Sequence, residues 1–95
     1  MAYDQLIFGV HAIRRMFEHK ITDTDVRDVL ERGDIIEELT LDPHAIKRIH
    51  MALCDTRPIH VVVIDDAEVL RTEIVTVYEP DLDRWQPGFR RRRTP

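Results

Sequence analysis

The sequence predicts an α+β fold: two N-terminal helices packed on one face of a four-stranded antiparallel sheet, with an arginine-rich C-terminal tail. Three observations carry that expectation. Apolar residues recur with a helical period up to about residue 33 and with a period of two beyond it. The turns between the later segments are short, so successive strands should pair antiparallel. The 95 residues suffice for a single domain with one modest core, placed at about 8–89, and a tail at 90–95.

The first periodic stretch runs roughly from 8 to 20. At about 100° per residue, Val10, Ile13, Met16 and Phe17 share one face, which is expected to be core. His11, Arg14, Arg15, Glu18 and His19 share the other, which suits either solvent or a site. Thr22 is a good N-cap for the second helix, and Asp23 and Asp25 sit in its first turn, where carboxylates meet the positive helix end. Val26, Val29 and Leu30 should face the core, and Gly33 reads as a left-handed residue closing the helix.

After Gly33 the period changes. Ile35 to Leu39 reads as a first strand, and Asp42-Pro43-His44 as a turn. Residues 46–54 alternate, with Ile49, Met51 and Leu53 on one face and Arg48, His50 and Ala52 on the other, the pattern of a sheet with one covered face. Asp55 to Pro58 turns the chain, and residues 59–64 are nearly all apolar, as in a central strand. After a turn at 65–68, residues 69–78 form a last strand rich in Val, Ile, Thr and Tyr. Pro80 cannot continue a ladder and stops it.

Composition narrows the function classes. Hydrophobic residues make up 43% and charged residues 34%, which fits a soluble globular protein. No apolar run reaches the roughly 18 residues of a membrane span, and residues 1–5 lack the basic and apolar regions of a signal peptide. One cysteine, Cys54, forms no internal disulfide, so the expected location is a reducing cytoplasm. Cys54 itself reads as a small packed thiol. Charge is unevenly placed: residues 1–83 hold 9 Lys+Arg and all 18 Asp+Glu, whereas residues 84–95 hold five arginines and no acid. An acidic body disfavours broad nucleic-acid binding, while the basic tail suits a local phosphate contact or an acidic partner. The five histidines and the cysteine form no close ligand pair of the HxxxH or CxxC kind, and only three glycines are present, so neither a metal, a phosphate loop nor a cofactor is expected.

Two polar clusters stand out. On the first helix, His11, Arg14 and Arg15 are neighbours at spacings of three and four. A histidine beside arginines has its protonated form disfavoured and can serve as a base near neutral pH, and arginines suit a phosphate or a phosphorane-like transition state. At the end of the last strand stands Tyr78, an aromatic with its hydroxyl at the rim. His60, inside an apolar strand, reads from its neighbours as a satisfied core residue, and Trp85 and Phe89 as anchors pinning the tail to the body.

Taken in order, His11-Ala12-Ile13-Arg14-Arg15-Met16, Ile21-Thr22-x-x-Asp25-Val26, Val29-Leu30-x-x-Gly33, Ile35-Ile36-Glu37, Arg57-Pro58-Ile59-His60-Val61-Val62 and Thr76-Val77-Tyr78-Glu79-Pro80-Asp81, with Trp85 and the terminal arginines, resemble the domain-of-unknown-function family numbered 4258 over about residues 8–93. That family looks like a relative of the RelE-like ribonuclease toxins of prokaryotic toxin–antitoxin systems. The resemblance implies a RelE-like α+β domain, a metal-independent endoribonuclease acting on mRNA, and a cognate antitoxin as partner. Transferred to this chain, it implies His11 or His60 as base or acid, Arg15 as phosphate clamp and Tyr78 as a further donor. Arg14, Arg90, Arg91 and Arg92 would hold the RNA backbone. The rival expectation is a non-enzymatic protein-interaction module, in which the same residues form a structural network and the tail docks on an acidic partner. A homodimer through an exposed sheet edge is a third expectation.

Overall fold

The computed structural model describes residues 5–94. The signal-peptide expectation, which rests on residues 1–5, falls almost wholly outside them. In chain order the elements are β1 (Gln5–Phe8), α1 (Val10–His19), α2 (Asp23–Arg32), β2 (Asp34–Thr40), β3 (Ala45–Cys54), β4 (Arg57–Asp66) and β5 (Arg71–Tyr78). The strands form one sheet in the order β1-β5-β4-β3-β2.

This corrects the predicted architecture. The fold is still α+β, but the sheet has five strands and is mixed: β1 runs parallel to β5, from Gln5 opposite Arg71 to Phe8 opposite Ile74. The other neighbours pair antiparallel. A four-residue strand is too short to announce itself by periodicity, and its ladder partner lies more than sixty residues away, so nothing local marks it. The ladder extends one step further, through the Gly9 amide to the Ile74 carbonyl at 3.0 Å, before α1 begins.

α2 follows its sequence signals. Thr22 Oγ1 accepts from the Asp25 amide at 3.1 Å while Asp25 Oδ2 accepts from the Thr22 amide at 2.9 Å, a complete capping box. Val26, Val29 and Leu30 are buried as expected. Gly33 is not left-handed: its φ of −78° and ψ of 171° are extended. Glycine is required there by close approach, because a Cβ would lie 2.4 Å from the Val29 carbonyl oxygen and 2.7 Å from that of Met51. The left-handed helix end belongs to α1, where Lys20 takes φ 55°.

Opposed residues of antiparallel strands share a face, which sorts the sheet into two sides. One side carries Ala52, Ile59, Val61, Val63, Ile74 and Val77 and packs against Ala12 of α1 and against Ile21, Val26, Val29 and Leu30 in and before α2. The other carries Ile49 and Val62 and is covered by Trp85, with Phe89 and Tyr78 beside them. Both faces of β3 and β4 are therefore covered, in contrast to the single covered face that the alternation in β3 suggested. Among the described residues no helix is long and apolar enough to cross a membrane.

Candidate functional site

α1 is rotated relative to the orientation its apolar stripe predicts. Ala12 is its buried residue and Met16 is half-buried, whereas Val10, Ile13 and Phe17 face outward, Phe17 with 88% of its surface exposed. Burying a side chain of this kind is worth roughly 1.5–3 kcal/mol, so the chain forgoes that gain at three positions. What it gains is placement: His11, Arg15 and His19, spaced by four, form a row along the side of α1 that looks across to the end of β5.

That row forms one wall of a cleft of about 450 Å³. Thr76 and Tyr78, alternate residues of β5, form another, and Arg84, Trp85 and Arg92 of the tail close it. A second cleft of about 360 Å³ continues over the sheet, with Ile49, Val62 and Val75 as floor and Glu37 and Lys47 at its rim. Thr76, Tyr78 and Arg92 line both clefts.

The first cleft carries three arginines against two carboxylates, a small formal excess of positive charge. Its two carboxylates are already engaged. Glu79 pairs with Arg57, and Asp81 Oδ1 accepts from the amides of Asp83 and Arg84, each at 3.0 Å. Among the cations, Arg15 pairs with Glu18 at 3.2 Å on an exposed helix surface, a contact of little energetic weight. Arg92 donates to Glu37 at 2.7 Å and lies over the Trp85 ring at 4.7 Å. Among the described residues Arg84 has no ion pair.

Behind Tyr78 stands His60, with no exposed surface. Its Nε2 lies 2.8 Å from the Phe89 carbonyl, which can only accept, so Nε2 carries the proton. Nδ1, 3.2 Å from the Tyr78 hydroxyl, is then the acceptor, and Tyr78 donates inward. Burial pushes the His60 imidazole down to about 4, so it is neutral near pH 7, and burial pushes the Tyr78 phenol up, so it keeps its proton. Toward the cleft Tyr78 therefore presents oxygen lone pairs. The Trp85 ring meets the His60 ring edge-on at 4.4 Å, completing a buried aromatic stack.

The residues singled out from the sequence separate into groups. His11, Arg15 and Tyr78 line the cleft, and so does Arg92. His60 lies behind the wall and reaches the cleft through Tyr78 alone among the cleft-lining side chains it hydrogen-bonds. Arg14 is exposed on the outer side of α1, away from the cleft lining. Arg90 pairs with Asp34 at 2.9 Å, and Arg91 is exposed, its carbonyl accepting from the Gln86 amide. The basic tail thus docks on acids of its own chain, through Arg90 and Arg92. Sequence reasoning passed over Arg84 as a cleft residue. Its only signal is its position three residues after Asp81, whose side chain accepts from its amide. Among the described residues no three His, Cys, Asp or Glu side chains gather as a metal site.

Comparison with known proteins gives one result. The profile described as "Domain of unknown function (DUF4258)" matches residues 8–79, most of the chain, and the chain belongs to that family. No curated protein and no solved structure matches. Arg84, Trp85 and Arg92, which close the cleft, lie beyond the matched residues.

Proposed function

We propose that this protein is a toxin-like, metal-independent endoribonuclease of a prokaryotic toxin–antitoxin pair. The observation that carries the reading is the cleft itself: two histidines and an arginine on α1 face a tyrosine at the end of β5, with two tail arginines beside them. A kinship of the family with RelE-like toxins, which the sequence motifs suggest, would point to the same class. In such a reaction the 2′-hydroxyl attacks the adjacent phosphorus and the bond to the 5′-oxygen breaks, leaving a 2′,3′-cyclic phosphate and a 5′-hydroxyl. One group must take the 2′ proton and another must supply a proton to the leaving oxygen.

His11 and His19 are suited to that exchange, since both line the cleft and an imidazole can accept a proton at one ring nitrogen and donate one from the other. Arg15, Arg84 and Arg92 are suited to the non-bridging oxygens, where charge develops. Tyr78, donating to His60, can accept a hydrogen bond from a substrate hydroxyl. His60 acts as a positioning residue, holding the phenol and, through the Phe89 carbonyl, the tail. The test is inducible expression in a bacterial host, wild type beside His11→Ala and Arg15→Ala at equal protein levels, together with RNA cleavage by the purified chains. Growth arrest and cleavage by wild type, both relieved in the variants, is the expected outcome; a soluble wild type that does neither refutes the reading.

A second reading, a partner-binding module, is favoured by one observation: Val10, Ile13 and Phe17 leave an apolar stripe outside the core. The two readings are compatible, because the stripe and the His11–Arg15–His19 row occupy different sides of α1. Loss of co-purification of a cognate partner on Phe17→Ser, with growth arrest retained, would assign the stripe to the partner and the cleft to the RNA.

A further inference from the structure

Two of the cleft walls, α1 and the end of β5, lie far apart in the chain; the Gly9–Ile74 bond ties the start of α1 to β5, and the His19 end is held by a separate contact. We propose that Arg57 is the positioning residue that sets the gap at the His19 end, an inference that rests on the RNA-cleavage reading. Arg57 opens β4 and uses its whole guanidinium. Nη2 donates to the His19 carbonyl at 2.6 Å and Nη1 to the Lys20 carbonyl at 3.0 Å. Nε donates to the carboxylate of Glu79. One rigid planar group therefore holds the last residue of α1 and the residue that follows Tyr78.

The chemistry on each side requires it. The last carbonyls of a helix have no intrahelical partner and carry its negative end, so a cation bonded to them is well placed. Lys20, left-handed at φ 55°, turns the chain away there and leaves those carbonyls facing Arg57. On the other side Glu79 is a cleft carboxylate. Paired with Arg57, its charge is partly offset. Arg57 thus does two separable things: it locates His19 relative to Tyr78, and it partly offsets the charge of Glu79. The three-point geometry assigns the first as its main role, because a charge alone would need only the Glu79 contact.

The full-length chain is compared as wild type, Arg57→Gln, Arg57→Lys and Arg57→Gln/Glu79→Gln. Steady-state cleavage of a single-stranded RNA is measured, together with inorganic phosphate titrations followed through the ring signals of His11 and His19. Arg57→Gln is expected to lower kcat about tenfold or more, the scale on which misplacement of reacting groups acts, with KM changed less. Arg57→Lys should recover part of the loss, since an ammonium can reach a helix-end carbonyl but cannot make all three contacts. The double variant should stay as low as Arg57→Gln. Full recovery in the double variant would make the role electrostatic and overturn positioning, as would a kcat for Arg57→Gln within about twofold of wild type. Should Arg57→Gln fail to fold, Arg57→Lys carries the comparison, and wild-type kcat in that variant overturns the proposal. If wild type cuts no RNA, the cleavage reading fails by itself. The titration then decides: a changed response of the His19 ring to bound phosphate in Arg57→Gln that Glu79→Gln does not restore supports positioning, and a response like that of wild type refutes it.

Discussion

The two faces of the sheet are held by different physics. The helix face is built mainly on an aliphatic cluster of Val, Ile, Leu and Ala, non-directional in its packing, with half-buried His50 and a buried Asp65 held by Arg48 and Thr72 on the same side. The tail face has a small cluster, Ile49, Val62 and Trp85, and depends on directed contacts around it. A buried neutral histidine is bonded at both ring nitrogens, an arginine lies over the tryptophan, and the exposed pairs Arg90–Asp34 and Arg92–Glu37 add contacts of little energetic weight. The helix face supplies the fold. The tail face supplies a surface that is incompletely filled, and the clefts open there.

The sharpest test of that contrast is Trp85→Ala. Losing a buried tryptophan costs about 3–5 kcal/mol, and here it also removes the support of His60 and Arg92. A large drop in the chemical-denaturation midpoint together with loss of cleft function is expected. A small drop would mean that the tail is not part of the folded unit.

The next effect is acid sensitivity. The His60 imidazole titrates at about 4 in the folded protein against an ordinary value of 6.5, so the unfolded chain binds its proton more readily. The resulting stability is fully present above pH 6.5, falls as pH drops toward 4, and totals about 3 kcal/mol. Burial also pushes His50 down, in the same direction. Denaturation followed between pH 7 and pH 4 should show this loss, and His60→Gln should flatten part of it. An unchanged slope would remove His60 from the account.

On the helix face, Thr22→Ala breaks the capping box and should cost about 1 kcal/mol, with no dependence on the state of the tail. Lys20→Gly relieves a left-handed non-glycine residue and should stabilise by up to about 1 kcal/mol in a thermal melt. The smallest expected effect is Phe17→Ser, within about 0.5 kcal/mol, because the Phe17 side chain is exposed. A loss of several kcal/mol would show that α1 turns its apolar stripe inward, and the cleft as described would not exist.

Several local signals are legible in the chain. The period of α2, its cap at Thr22, the alternation in β3, the apolar run of β4 and the stop at Pro80 each depend on residues within a few positions of one another. The same holds for the grouping of His11 and Arg15 on one side of a helix and for Trp85 and Phe89 as anchors. Tertiary structure decided the rest. β1 exists as a strand because β5 lies beside it. Gly33 is a glycine because the Met51 backbone passes close to it, not because of its own dihedral angles. α1 faces the cleft with its polar row because only about a third of a short helix can be buried, and packing against β5 selected Ala12 rather than the more apolar stripe beside it. Whether His60 is a base or a buried support, and whether the tail arginines reach outward or fold back, depends on what stands opposite them, and pattern and propensity carry no record of that.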